Sequence, residues 1–144
     1  MRVIVQRVLE ASVYVDKTRI SHIDQGYLIY VGIHESDTDD IVLKMATKIK
    51  NLRIFEDEQG KMNLNLSQVN GKVLAVSQFT LYGDTKGNNR PSFILAARPE
   101  IAVKRYDFLC EELSKSFIVE KGVFQAHMNI MSNNDGPVTI LIEM

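Results

Sequence analysis

Between Gly26 and Ile33 the chain reads GYLIYVGI, a short unbroken apolar run rich in β-formers. A strand with one wet face alternates apolar and polar residues, so this run is a strand covered on both faces, the expected central strand. Upstream, Val3, Val5 and Arg7 alternate with Ile4, Gln6 and Val8, and Ser12 to Val15 resumes the β-rich pattern. That segment reads as strand, short break, strand, then a turn at Asp16-Lys17-Thr18.

Downstream, Ser36 to Asp40 offers capping oxygens and an acidic first turn, and Val42, Met45, Ala46 and Ile49 follow at helical spacing. A first helix is expected from about Thr38 to Lys50. Leu52 to Phe55 is a short strand, and Glu56 to Lys61 (EDEQGK) is a solvated turn. Asn70-Gly71 is the strongest two-residue hairpin signal in the chain, and it leads into KVLAVSQFTLY, expected as the longest strand and ending at Gly83. From Gly83 to Pro91 the polar GDTKGNNRP is a loop of a length at which function becomes common.

Pro99 opens a second helix whose apolar face is Ala102, Tyr106, Leu109, Cys110, Leu113 and Phe117. Val119 to Ile130 returns to strand-like composition around Gly122, and Asn133 to Pro137 breaks it before the closing strand VTILIE. This order predicts an α+β fold, a single domain over residues 1–144 with a largely antiparallel or mixed, barrel-like sheet and two main helices.

Composition excludes several classes. The 144 residues are 45% hydrophobic and 24% charged, an ordinary globular balance. Seventeen basic and 18 acidic side chains leave a formal charge of −1. No global basic field exists to grip nucleic acid, so any such contact is local. The opening residues lack a signal-peptide core, the single cysteine cannot form an internal disulfide, and the longest apolar stretch is far too short for a bilayer. A reduced, cytoplasmic protein without membrane contact is expected.

His22, His34 and His127 stand far apart and pair with no Cys or Glu at zinc-motif spacing, so no metal and no cofactor is called for. Cys110, on the apolar helix face, reads as core. P-loop, dinucleotide-binding and nucleophile-elbow signatures are all missing. Ser77-Gln78-Phe79-Thr80 is unusual, because it sets three polar side chains at the end of an apolar strand beside the longest polar loop. With period two these four residues line one pocket only if the strand bends; otherwise they bond neighbouring backbone. Gly136-Pro137 is either a tight turn or a cis peptide.

SQFTLYGD (Ser77 to Asp84) together with NDGPVT (Asn134 to Thr139) resembles the two signatures of the bacterial and eukaryotic type of D-aminoacyl-tRNA deacylase. MRVIVQRV, NLRIFEDEQGKMN, RPSF and GVF look like that family in the same order, so the resemblance spans the chain. It implies hydrolysis of the ester between a D-amino acid and the terminal adenosine of tRNA, with glycine also removed from mischarged tRNA. It further implies a homodimer in which Gly136 and Pro137, as a cis peptide, enter the partner's pocket and reject L-amino acids. That pocket would hold Ser77, Gln78, Phe79 and Thr80, with Phe124 and Met128 near the adenosine and Arg7 bracing the Gly-Pro turn.

Backbone N–H groups around Phe79 and Thr80 can stabilise an oxyanion, while Thr80 has no evident base to make it a nucleophile. Lys86 and Arg90 are candidate tRNA phosphate contacts, although Asn88-Asn89 interrupts the basic character of their loop. Two alternatives stay open: a non-catalytic nucleic-acid-binding module of the same fold, and a related deacylase acting on L-alanyl-mischarged tRNA, in which the Gly-Pro peptide is trans.

Overall fold

The computed structural model describes residues 1–144. Its organising element is β1 (Arg2–Val15), which pairs antiparallel with three strands. Residues Arg2 to Val8 face β3 (Gly26–Gly32), Ala11 to Val15 face β2 (Thr18–Ile23), and nearly the whole length faces β8 (Asn129–Glu143). Beyond β3 the sheet turns parallel: β6 (Lys72–Ser77) lies beside β3, and β7 (Val119–Lys121) beside β6. A separate hairpin joins β4 (Arg53–Glu56) and β5 (Met62–Asn65).

The GYLIYVG run explains this layering. Tyr27, Ile29 and Val31 point into a core shared with α1 (Asp39–Asn51) and α2 (Pro99–Ser114), which contribute residues such as Met45, Ile49, Tyr106 and Leu109. Leu28 points the other way, into a second cluster with Val8, Ala11, Val13, Ile23, Leu74 and Val76. That second face is buried with no helix over it, so the mixed sheet curls upon itself in a barrel-like wrap. The α+β expectation is met, and Thr38 caps α1 through its side chain, bonded to the Ile41 N–H.

Four local expectations are corrected. The break near residue 9 does not occur; β1 runs through it, with irregular register against β8 between Gln6 and Glu10. Asn70-Gly71 makes no hairpin. Residues 66–69 form a 3-10 turn, capped by reciprocal Asn65 and Gln68 bonds and closed by Asn70 in the left-handed region (φ 51°). The same dipeptide chemistry thus ends a turn and delivers the chain to a parallel strand, whose two edges β3 and β7 already occupy. KVLAVSQFTLY does not continue to Gly83 as a strand; β6 stops at Ser77 and residues 79–82 wind into a second 3-10 turn. Residues 133–137 do not end β8, which carries on through them as an excursion.

No helix is long and apolar enough to cross a membrane. Cys110 is buried on α2, and burial pushes its thiol up to about 12.

Candidate functional site

The abrupt end of β6 makes the site. Gln78 donates its N–H to the Val31 carbonyl at 2.8 Å, the last rung shared with β3, and the chain then turns through Phe79–Tyr82. Gly32 allows this: a Cβ there would sit 3.0 Å from the Leu81 Cβ and 3.2 Å from the Gln78 carbonyl oxygen. As the first residues of a helical turn, Phe79 and Thr80 have N–H groups with no acceptor inside the protein. The bend required for Ser77, Gln78 and Phe79 to face one space is therefore present.

That space is a cavity of about 670 Å³, walled by the ends of β3 and β6, the start of α2 and residues 124–130. Ser77, Gln78, Phe79, Phe124 and Met128 all line it. Thr80 stands beside it, exposed, its hydroxyl accepting from the Gln78 amide, which is a donor and no base. Phe79 packs edge-to-face on Phe93, with ring centroids 5.0 Å apart. The floor is stapled to α2: Tyr106, buried, donates its hydroxyl to the Ala75 carbonyl at 2.9 Å, and Gly122 donates its N–H to the same oxygen at 2.8 Å. Burial also raises the Tyr106 phenol well above its ordinary range. At Gly122 a Cβ would lie 2.7 Å from the Met128 sulfur, so the glycine lets Met128 fold against the sheet and into the cavity wall.

Gly136, Pro137 and Arg7 stand elsewhere. Arg7 lies opposite Tyr27 and Ser77 opposite Val31, so four residue steps along β3, about 13 Å of strand, separate the two places. Opposite Arg7 the β8 strand bulges: Asn134 pairs with Val8 and Thr139 with Gln6, which leaves Asp135 to Val138 as an excursion. The Asn134 amide pins its base, donating to the Arg7 carbonyl at 2.9 Å and the Val138 carbonyl at 3.1 Å. Arg7 is buried beneath and donates Nη1 to the Ile54 carbonyl at 2.7 Å. Its Nε comes to 2.8 Å from Asp135 Oδ2 without the alignment of a hydrogen bond, so that contact is an ion pair. Gly136 has φ +111°, and a Cβ on it would approach Arg7 Nη2 to 3.2 Å; the Gly136–Pro137 peptide is cis.

A sequence model of the D-Tyr-tRNA(Tyr) deacylase family matches residues 4–143. The chain belongs to that family. D-aminoacyl-tRNA deacylases of Thermoanaerobacter sp. (strain X514) and Porphyromonas gingivalis (strain ATCC 33277) are each 50% identical to it, over 99% of this chain and 97% of theirs. A solved structure of a c-Myc DNA unwinding element binding protein superposes with TM-score 0.95 at 40% identity, covering 100% of this chain and 99% of that one. A probable eukaryotic D-amino acid tRNA deacylase, at 16% identity and TM-score 0.85 over 99% of this chain and 98% of that one, shares the fold.

Within this deacylase-family chain, sequence reasoning missed Arg98 and Gln125 on the cavity wall and weighed His127 only as a metal ligand. Arg98 carried no motif signal. Gln125 is held at φ 62°, and only a left-handed turn would have marked it. Lys86 and Arg90 lie in the exposed loop and do not line the cavity.

Proposed function

We propose that this protein hydrolyses the ester of D-aminoacyl-tRNA to free tRNA and D-amino acid, and likewise clears glycyl-tRNA mischarged on the alanine acceptor. The observation that carries this reading is the pair of unpartnered N–H groups, Phe79 and Thr80, at the mouth of the cavity. As the attacked carbonyl carbon becomes tetrahedral, negative charge gathers on its oxygen, and fixed donors stabilise it more than they stabilise the ester. Water attacks; the electrons of the broken C–O bond leave with the ribose oxygen, which takes up a proton. Thr80 positions Gln78 and does not form an acyl intermediate, since its side-chain partner is an amide. Phe124 and Met128 take the terminal adenine, and Lys86 and Arg90 meet phosphates farther along the tRNA.

In this reading the protein is a cytoplasmic homodimer. The Asp135–Val138 excursion, braced by Arg7, stands too far from its own cavity to enter it and suits the cavity of a second copy. There the carbonyls around Gly136 and Pro137 hold the substrate ammonium, and an L side chain runs into backbone while a D side chain points outward. Glycine has nothing to be rejected.

The test compares decay of D-tyrosyl-tRNA and L-tyrosyl-tRNA with purified protein against decay without it. Selective loss of the D ester supports the reading. Equal background decay of both refutes it and favours a non-catalytic nucleic-acid-binding module, the reading to which the DNA unwinding element binding protein lends support.

A further inference from the structure

Every polar side chain on the cavity wall is neutral or basic. Arg98 and His127 are the lining residues that can carry charge, and no aspartate or glutamate is among them. The chain as a whole is nearly balanced, at a formal charge of −1, so a cavity wall with basic groups and no acid departs from the average composition. Arg98 is exposed and makes no ion pair, whereas Arg2, Arg7, Arg105, Lys72, Lys115 and Lys121 are each engaged with a carboxylate. The nearest acid in sequence, Glu100, is exposed in the first turn of α2 and lines no part of the cavity.

The backbone beneath both residues is fixed. Ala97 donates to the Ile33 carbonyl at 2.9 Å and Ala96 bridges His34, which extends the β3 edge up to Arg98. The Arg98 carbonyl in turn accepts from Ile101 and Ala102 at 3.0 and 2.9 Å. His127 follows a turn closed by Ala126 N–H to the Val123 carbonyl, and precedes Met128, which packs over Gly122.

We propose that Arg98, assisted by His127, clamps the phosphodiester joining the last two nucleotides of the acceptor strand. The inference rests on the reading above, with the ester at Phe79–Thr80 and the adenine against Phe124 and Met128. The ester and the 5′-phosphate leave a terminal ribose in opposite directions, so the phosphate is left at the cavity mouth beside an unpaired guanidinium. Guanidinium matches phosphate with two parallel N–H···O bonds, and holding this phosphate fixes how deep the adenosine sits. Arg98 is thus a positioning residue for the substrate's backbone, distinct in role from Lys86 and Arg90.

The test uses three D-tyrosyl esters: of adenosine, which has no phosphate; of the dinucleotide CpA, which has one internucleotide phosphate; and of full tRNA. For the wild-type protein, Arg98→Gln and His127→Gln, kcat/KM is measured on each. The expected result is that the CpA-to-adenosine ratio of kcat/KM falls about tenfold in Arg98→Gln, the lower end for a charge-assisted bond at an exposed site, and falls by less in His127→Gln. The salt dependence on the CpA ester should flatten in parallel. Losses from Lys86→Ala and Arg90→Ala should enter only in the tRNA-to-CpA ratio. A CpA-to-adenosine ratio unchanged in Arg98→Gln overturns the clamp while leaving the deacylase reading standing. Wild-type protein that cleaves none of the three esters overturns both.

Discussion

Replacing Arg7 with methionine removes the side chain at the foot of the Asp135–Val138 excursion. Arg7 is 4% exposed, and three neighbours share its guanidinium unequally. The Ile54 carbonyl, 2.7 Å from Nη1 in a buried contact, loses a charged donor, which costs about 1–3 kcal/mol. Asp135, 2.8 Å away, keeps 38% of its side chain in solvent, and Glu56, 3.8 Å away, keeps 58%. Water resolvates both carboxylates, so these pairs add at most about 1 kcal/mol. Methionine fills the stem volume and carries no charge to desolvate, which offsets part of the loss. The expected destabilisation is about 2 kcal/mol, below the roughly 3–5 kcal/mol seen when one partner of a fully buried pair is removed. In a chain of this size the thermal midpoint should fall by roughly 4–8 °C. Urea unfolding at one fixed protein concentration, with an unchanged m value, reads the free energy. A double-mutant cycle with Asp135→Asn apportions it, and the Arg7–Asp135 coupling should stay below about 1 kcal/mol. A coupling above about 2 kcal/mol, or a total loss under about 0.5 kcal/mol, would refute the assignment of the energy to the carbonyl.

Three further outcomes follow from the packing. Gly26→Ala would place a Cβ 1.9 Å from the Lys72 carbonyl oxygen, so β3 and β6 must part, at a cost above about 3 kcal/mol in urea unfolding; a loss under 1 kcal/mol speaks against that approach. Tyr106→Phe should cost only about 1 kcal/mol, because the Ala75 carbonyl keeps the Gly122 N–H, and a loss above about 3 kcal/mol would mean the oxygen was left unsatisfied. Cys110, held up to about 12 by burial, should resist a disulfide reagent at pH 8 until urea unfolds the chain. Its contribution to stability is whole below the unfolded thiol pKa of about 8.5 and declines as pH rises towards 12, since the unfolded chain releases the proton first. Cys110→Ala should flatten that part of the pH profile, and native-state labelling at pH 8 would contradict the burial.

Where the sequence pattern was local and periodic, it was readable. The Thr38 cap, the α2 face and the doubly buried GYLIYVG strand follow from spacing and burial alone. Asn70-Gly71 misled because the left-handed residue that closes a hairpin also closes a 3-10 turn, and only the pairing of β6 with β3 and β7 decides between them. The end of β6 was concealed for a related reason. Apolar Phe79, Leu81 and Tyr82 prolong the strand pattern, while the bend is set by Gly32 on another strand. The excursion at Asp135 exists through Asn134 and Arg7, residues more than a hundred positions apart. Arg98 and His127 acquire meaning from a shared cavity wall, which spacing does not encode.

The pairing of Arg2 with Glu143 has a consequence for how the molecule is made. Of the strands described, β1 is synthesised before all the others, yet its partner along nearly its full length, β8, is synthesised after them. Closing so long a loop is slow, and until it closes β1 offers an open edge to other chains. Both the excursion and Ile130 of the cavity wall arrive with that final strand. A nascent copy therefore lacks the excursion, and β1 its long partner, until β8 has been made, and delayed arrival of β8 should show itself as aggregation through β1 before it shows as lost activity.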